Sequence, residues 1–386
     1  MKKFIMAAIF LCFASNAAAV DMASVQLHGF LSQGYLKTDT HDALFAETSS
    51  GGTFEFNEFG VNVASQVNDD LRVGMQLLSR DLGEIGNNEV ELDWAYGDYN
   101  YRNWLGIRAG KMKTPYGLYN QSRDIDAVRT SIMLPSSIYS EGYRESLSTT
   151  IGLGAYGELP GGVEYQVVYG TTQLKEDEGV SKTLGLLTEF FGVTEFSNSS
   201  VDWAYSGDLK WSTPVDGLTL GASTMGYKAA ISSEIPYDDF DFNLEVKSYV
   251  GSMEYVIGDL TLASEYQQMT IDYAIPTFGY GDETTTEEYY FLASYRVNEW
   301  FEMGTYYSVD YSDKDDKDGD SYKKHNHPAA RSWLKDFALT TRFDVSDSMV
   351  VKLEGHLMDG LYNVDYDESD PDDTWYMLAA KVTFSF

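Results

Sequence analysis

A glycine-rich hexapeptide is one stretch whose spacing could carry chemistry. Residues 152–157 read Gly-Leu-Gly-Ala-Tyr-Gly, which matches the pattern that cradles a pyrophosphate in dinucleotide-binding folds. That chemistry requires a strand before the glycines and a helix after them, because the helix N-terminus binds the phosphates. Here the turn residues Pro160-Gly161-Gly162 follow, and a second alternating segment begins at Val163. We therefore interpret the match as chance repetition within two strands.

The histidines are the next candidates. They are His28, His41, His325, His327 and His356. His325 and His327 could bind a metal ion weakly, although a solvated pair is the simpler interpretation, and neither Gly-x-Ser-x-Gly nor His-Glu-x-x-His occurs. His356 falls on the polar face of a predicted strand, where it could serve a hydrolase that also supplied a serine. The sequence predicts no catalytic residue, no metal site and no cofactor, with this hydrolase as the enzymatic alternative.

The charge balance excludes one broad class of partner. The chain has 27 basic and 60 acidic residues, a net charge of −33, and it would repel the phosphate backbone of a nucleic acid. It is nevertheless too aromatic for a disordered acidic chain, with 29 Tyr, 20 Phe and 7 Trp. Mean hydropathy is −0.30, and the only long apolar run is N-terminal, so no membrane-spanning helix is predicted.

Residues 1–19 have the order of a secretory signal peptide. Lys2 and Lys3 precede an apolar run over 4–14, and the small residues Ala17-Ala18-Ala19 form a cleavage site. Cys12, the only cysteine, lies within this run. Cleavage would therefore leave a mature chain, 20–386, without disulfides, cysteine nucleophiles or thiolate metal sites. The sequence predicts an exported protein.

An alternation of apolar and polar residues dominates the mature chain. Leu71, Val73, Met75 and Leu77, for example, alternate with polar residues or glycine. Successive side chains of a strand point to opposite faces, so each such segment has one apolar and one polar face. The pattern predicts about sixteen strands, an even count of the kind found in bacterial barrels. They lie near 25–36, 54–67, 71–79, 90–99, 104–113, 149–157, 163–171, 201–211, 218–227, 242–256, 260–272, 287–297, 301–311, 334–345, 349–358 and 374–386.

The connections between these strands alternate in length. Short turns such as Asp216-Gly217 and Gly258-Asp259 alternate with long segments. The long segments are 37–53, 80–89, 114–148, 172–200, 228–241, 273–286, 312–333 and 359–373. Short turns at one end and long loops at the other are typical of an up-and-down barrel. We predict an all-β, transmembrane, antiparallel barrel.

A soluble β-sandwich would also show alternation, and the aromatic residues favour the membrane barrel. Aromatic side chains crowd the predicted strand ends, as the interfacial girdles of membrane barrels require. They include Trp94, Tyr96, Tyr99, Tyr101, Trp104, Trp203, Tyr205, Trp211, Trp375 and Tyr376. The polar faces combine glycine with charge, as in Arg72 and Gly74, which suits a water-filled lumen.

Three features make the chain resemble the Gram-negative outer-membrane porins. The last strand alternates and ends in Phe386, with Tyr376 and Phe384 in the same segment, and it resembles the signal read by the outer-membrane assembly machinery. The first strand begins a few residues after the cleavage site, so that it can pair with the last. The longest connection, 114–148, follows the fifth strand, and the run 108–117 before it resembles the phosphate-selective group of porins.

This resemblance implies a location and a set of partners. The protein would be integral to the Gram-negative outer membrane, in contact with lipid and lipopolysaccharide, and assembled as a homotrimer. The segment 114–148 would fold back into the pore as a constriction loop. No cofactor would be needed.

Selectivity would then depend on charges around this loop, since rings of charged side chains set ion preference. The polar phase of the strands predicts a basic wall of the lumen: Arg72, Arg80, Arg108, Arg342, Lys352 and Lys381. The loop contributes further charges: Arg123, Asp124, Asp126, Arg129, Glu141 and Glu145. We expect a transverse field between the basic wall and the loop carboxylates. In the alternative, each arginine only pairs with a neighbouring acid.

These features together predict a porin, a passive diffusion channel for small hydrophilic solutes and ions. One alternative is a substrate-selective porin for anions or phosphate, which the net acidity disfavours. A second is a non-conducting adhesion or assembly barrel, and a third is the outer-membrane hydrolase.

Overall fold

The computed structural model describes most of the mature chain. The described residues are 24–41, 51–83, 85–142, 144–175, 179–180, 198–234, 239–364, 366 and 372–386. The predicted signal peptide, 1–19, lies outside them.

Sixteen strands form one closed antiparallel barrel, in which each strand pairs with its neighbours in sequence and β1 pairs with β16. The strands are β1 (Val25–Thr38), β2 (Phe56–Gln66), β3 (Leu71–Leu82), β4 (Val90–Arg102), β5 (Leu105–Lys113), β6 (Thr149–Leu159), β7 (Val163–Thr171), β8 (Asn198–Ser212), β9 (Leu218–Glu234), β10 (Asp239–Ile257), β11 (Leu260–Ile275), β12 (Tyr280–Asn298), β13 (Phe301–Tyr311), β14 (Trp333–Ser346), β15 (Met349–Gly360) and β16 (Thr374–Ser385). The predicted fold class is confirmed.

The described connections contain several single helical turns. The α-helical turns are α1 (Ser136–Tyr139), α2 (Arg144–Ser148) and α3 (Asp320–Lys324), and the 3₁₀ turns are Asn120–Ser122, Asp126–Val128, Pro276–Phe278 and Ala329–Ser332. Within the described ranges, no helix is long and apolar enough to cross a bilayer.

The outer face of the barrel exposes apolar side chains and the inner face buries charged ones, which is the reverse of a soluble protein. Apolar side chains on the outer face are open, with Leu339 at 57%, Leu378 at 60% and Phe291 at 61% exposure. On the inner face the buried side chains include Lys352, Glu354 and Glu288. A soluble sandwich would bury its apolar faces, whereas lipid accepts an exposed apolar band. The barrel is therefore a transmembrane one.

Several predicted loops are shorter in the structure because the strands extend further. The segments 228–241 and 273–286 are largely strand, since β9 continues to Glu234, β10 begins at Asp239 and β12 begins at Tyr280. Cross-strand pairs such as Ala230 with Asn243 continue the ladder. The acidic residues and glycines in these segments are typical of turns, which is why the sequence predicts loops there. A β-hairpin can nevertheless extend beyond the lipid, where its strands carry polar side chains.

A bulge in β4 reverses the predicted phase of its aromatic residues. Gln76 pairs with Trp94 and the next residue, Leu77, pairs with Leu92, so Asp93 is the extra residue. Trp94 and Tyr96 therefore lie on the lumen face. Unbroken alternation from Leu92 would have placed them on the outer face, in the aromatic girdle that the sequence predicts. An inserted residue changes the face of every later side chain, because the side-chain period is two.

The C-terminus closes the barrel. Beyond β16, Phe386 and Gly29 exchange two backbone hydrogen bonds of 3.0 Å. The outward side chains of Tyr376, Phe384 and Phe386 are 55%, 43% and 64% exposed, as an assembly signal presented to a partner would require. The hexapeptide 152–157 lies wholly within β6 and is followed by a turn and β7, which confirms its interpretation as strand.

Candidate functional site: a loop across the lumen

The connection 114–148 lies inside the barrel, as the resemblance implied. It begins with a tight turn at Gly117, whose φ of +59° is one that residues with a Cβ rarely adopt. A Cβ at Gly117 would also lie 2.5 Å from the hydroxyl of Tyr139. Farther along the loop, Ile132, Leu134 and Ile138 are buried. The loop is thus an ordered element that packs against the inner wall of the barrel.

Glu265 of β11 anchors the loop to one side of the barrel. Its carboxylate accepts hydrogen bonds from the Leu118 amide (2.9 Å), the Tyr139 hydroxyl, the Ser252 hydroxyl (2.6 Å) and the Tyr290 hydroxyl (2.8 Å). Four donors therefore compensate a carboxylate that is 1% exposed. Alternation along β11 places the side chain of Glu265 on the inner face of the barrel, where it meets the loop.

A neighbouring part of the barrel wall, on β14–β16, carries a row of three basic residues. Arg342 pairs in register with Lys352, and Lys352 pairs with Lys381, so three cations lie side by side on β14–β16. Like charges directly opposite each other destabilise a sheet unless counter-charges are present. Glu58 supplies one, with its carboxylate 2.6 Å from the Lys381 ammonium.

Asp126 of the loop supplies the other counter-charge. Its carboxylate lies 3.0 Å from the Lys352 ammonium and 3.7 Å from that of Lys381, and it accepts a 2.7 Å hydrogen bond from Thr383. Arg342 donates to the backbone oxygen of Arg129 at 3.0 Å. The basic row and the loop therefore meet directly, which corrects the expected field across open water at this place. The physical reason is that buried cations are stabilised by close counter-charges rather than distant ones.

A second charged cluster fixes the ends of the loop. Arg144 binds Glu58 (3.3 Å), Glu141 (3.1 Å) and Asp124, and Glu141 also binds Arg80 and Arg123 at 3.0 Å each. Asp124 further contacts Lys113. The two carboxylates of the Asp124-Ile125-Asp126 segment thus serve different anchors. The side chain of Glu145, which was predicted to contribute here, is outside the described part of the structure.

The loop carboxylates stay ionised despite their burial. Burial alone would raise the pKa of Asp124, Asp126 and Glu141, but the neighbouring lysines and arginines outweigh it and hold all three pKa values well below the usual range. A depressed folded-state pKa stabilises the fold fully above the unfolded carboxyl value of about 4, and this stabilisation is lost as the pH falls through the folded value.

We therefore expect the docked loop to resist mild acid. The thermal midpoint in detergent, followed by circular dichroism, should be unchanged between neutral pH and about pH 5, and should fall only below about pH 4. A midpoint that dropped steadily from neutral pH would show that the three carboxylates are not held ionised. The Asp124→Asn variant is the comparison, because it should lose part of the acid-sensitive stability.

Two predicted wall arginines lie near the end with short turns, away from the basic row. Arg108 donates to Asp98 at 3.0 Å, and its guanidinium lies 4.1 Å from the centroid of the Tyr156 ring. Arg72 is exposed in the lumen, pairs in register with Asp98, and enters no ion pair among the described residues. Arg80, by contrast, belongs to the charged cluster that fixes the loop.

His356 supports the loop through two carboxylates. Its Nδ1 lies 3.0 Å from Asp336 and its Nε2 lies 3.1 Å from Glu354, so carboxylates occupy both ring nitrogens. Glu354 in turn accepts 2.8 Å hydrogen bonds from the amides of Ile132 and Met133. Sequence reasoning missed Glu354 and Glu58 as loop anchors. Their alternation within β15 and β2 was the available signal, since it places both on the inner face.

Solved structures with similar architecture include several outer-membrane proteins. An anion-selective porin from Comamonas acidovorans aligns with a TM-score of 0.59 at 13% sequence identity, over 94% of this chain and 99% of that chain. The outer membrane channel DcaP of Acinetobacter baumannii aligns with a TM-score of 0.60 at 13% identity, over 96% and 100%. OmpT of Vibrio cholerae, in its trimer form, gives 0.56 at 13%, over 94% and 99%.

These similarities are structural and do not extend to the sequence. No family model matches the chain, and no curated protein matches it in sequence. The chain has the fold of the Gram-negative outer-membrane porins.

Proposed function

We propose that the protein is a passive diffusion channel of a Gram-negative outer membrane, which admits small hydrophilic solutes and ions. The observation that carries the proposal is the loop 114–148, which lies inside a sixteen-strand barrel and is fixed to opposite walls by Glu265 of β11 and by Arg80 of β3. A barrel of this size leaves an aqueous lumen. A loop fixed across the lumen narrows it to a defined passage.

Single-channel recording in a planar lipid bilayer tests this function. We expect discrete current steps of uniform size after addition of the refolded chain. A protein that inserted as a folded barrel but gave no steps would favour the adhesion barrel or the hydrolase. No covalent chemistry is part of the proposal.

The charges of the lumen support a preference for cations over anions. Most of the basic wall is already paired with acids, whereas Asp282 and Glu283, near the end of the lumen with the long loops, are exposed and are in no ion pair of the described residues. Unpaired charges set the local potential in a pore. Arg72 and Arg108 are the basic groups that keep open an anion-selective or phosphate-selective alternative.

Neutralising both of these arginines should shift ion selectivity. The Arg72→Gln/Arg108→Gln variant is expected to move the reversal potential in a salt gradient further towards cations, with most of the change due to Arg72 because Arg108 is already paired with Asp98. Lys323→Gln, an exposed lysine of the external helix α3 paired with Asp320, is the control. An unchanged reversal potential would remove both arginines from the ion path.

The remaining features of the proposal concern assembly. The protein would be exported with its signal peptide removed, folded by the outer-membrane assembly machinery through Phe386, and embedded in lipid and lipopolysaccharide as a homotrimer. The trimer form of OmpT supports the oligomeric state. Conductance steps in groups of three and a trimeric mass in native detergent complexes are the expected results.

A further inference from the structure

A cavity of about 530 Å³ lies between the inward loop and the halves of β9–β13 near the long loops. Tyr116 and Ser137 of the loop line it on one side. Asp282, Glu283 and Asp313 line it too, at or beyond the strand ends. A solute entering from that side would meet these acids first and the loop last.

The wall of this cavity is unusually apolar for a lumen. Phe242, Leu244, Met269 and Tyr273 alternate inward on β10 and β11, and the rings of Phe242 and Tyr273 stack at 5.6 Å with an interplanar angle of 7°. Phe242 and Leu244 are each 5% exposed. A plain water-filled pore has no need for such a surface, whereas binding sites for small molecules are mostly apolar with a few placed polar groups.

Two carboxylates complete the wall. Glu288 of β12 and Asp310 of β13 pair in register, so their side chains project together into the cavity. Glu288 is 2% exposed and accepts hydrogen bonds from the neutral groups of Gln267 and Thr286 (2.5 Å). Asp310 is 7% exposed, and its Oδ1 has no hydrogen-bond partner.

Neither carboxylate is matched by a positive charge within the described ranges, unlike the loop carboxylates of Asp124, Glu141 and Asp126. A buried carboxylate without a partner is costly, and like charges directly opposite each other add to the cost. The described residues hold no cluster of three or more metal-ligating side chains, and the apolar wall does not suit a hydrated inorganic ion.

We propose that this cavity binds an organic cation with an apolar body. The ammonium or guanidinium group would lie against Glu288 and Asp310, and the apolar body would pack against Phe242, Met269 and Tyr273. Acids at the strand ends attract such a cation towards the cavity. This inference adds a class of solute to the proposed channel function. It rests on that function only for the statement that the site lies on the path of the solute.

Calorimetric titration of the refolded protein in detergent tests the binding. The probe is 2-phenylethylammonium, compared with neutral 2-phenylethanol, the anion 3-phenylpropanoate and methylammonium, which lacks the apolar body. We expect the probe to bind at least about tenfold more tightly than each of the three, since only the probe combines charge-assisted hydrogen bonds to the carboxylates with an apolar body. Similar affinity for the neutral or anionic compound, or no measurable binding, would overturn the proposal.

Substitutions separate the two parts of the site. Asp310→Asn and Glu288→Gln should each weaken binding of 2-phenylethylammonium by about tenfold. Phe242→Ala should weaken that probe but leave methylammonium unchanged. Asp208→Asn is the matched control, because Asp208 is also a buried carboxylate of the chain but does not line the cavity. An equal loss with Asp208→Asn would show a general charge effect and overturn the site.

Asp310→Asn should fold normally, because it removes a buried carboxylate oxygen that has no partner. Its thermal midpoint should therefore equal or exceed that of the parent protein. A lower midpoint would mean that Asp310 is matched in the folded protein, which contradicts the site.

Conductance keeps this proposal separate from the channel function. If the protein binds the probe but gives no current steps, the proposed binding site stands and the proposed channel function fails. If the protein conducts but binds none of the four compounds, the channel function stands and the proposed binding site fails. If sodium or calcium ions displaced the probe at concentrations equal to its own, the site would be an inorganic cation site and the proposal would be wrong.

Discussion

Replacing residues 115–147 with a Gly-Ser-Gly-Ser linker is expected to raise the single-channel conductance severalfold. The barrel should close without the loop, because Lys113 pairs with Thr149 and the Thr114 amide donates to the Ser148 oxygen at 3.1 Å, the geometry of a hairpin end. A sixteen-strand barrel without the loop leaves a wide aqueous channel.

The control for this deletion inserts the same four residues between Gly161 and Gly162. This short turn is exposed, and a Cβ at Gly161 would meet no atom nearby, so the insertion should fit. The control should keep the parent conductance. If the loop-deleted barrel, shown by circular dichroism to be folded, conducted no better than the parent, the loop would not be the constriction.

Asp126→Asn is expected to have the largest effect on stability of any single substitution in the loop. It leaves the Lys352 ammonium, whose side chain is fully buried, without its carboxylate partner. Removing one partner of a buried pair typically lowers the free energy of unfolding by about 3–5 kcal/mol, because an uncompensated charge remains. Urea unfolding in detergent micelles should show this loss, and single-channel traces should become noisy as the loop detaches.

A second substitution provides the decisive control. Replacing both partners, Asp126→Asn with Lys352→Met, removes the uncompensated charge and should recover most of the lost stability. Asp315→Asn is the surface comparison, since Asp315 is exposed and its pair with Lys314 should contribute little to stability. Simple additivity of Asp126→Asn and Lys352→Met would contradict a direct ion pair.

The strand pattern was predictable because a membrane barrel has one rule for every strand. Lipid outside and polar groups inside impose a period of two, and Leu71, Val73, Met75 and Leu77 show it directly. The bulge at Asp93 was not predictable, since it exists only in the pairing of β4 with β3. The lengths of β9 and β10 depend likewise on pairing between neighbouring strands.

The functional loop was predictable in position but not in its contacts. The resemblance to the porins implied an inward path for this long connection after the fifth strand, and alternation put Lys352 and Lys381 on the inner wall. Nothing in the sequence links Asp126 to Lys352, which are 226 residues apart. The same limit applies to the carboxylate pair of Glu288 and Asp310, which arises from the register of β12 with β13.

The sequence by itself determined a closed, lipid-facing barrel. Alternation and turn spacing are local properties of the chain, and contact with lipid favours the same alternation of apolar and polar residues in every strand. The tertiary structure alone decided which charges neutralise one another and which remain unmatched in the lumen. That outcome depends on barrel closure and on strand register, which bring distant side chains within hydrogen-bonding distance.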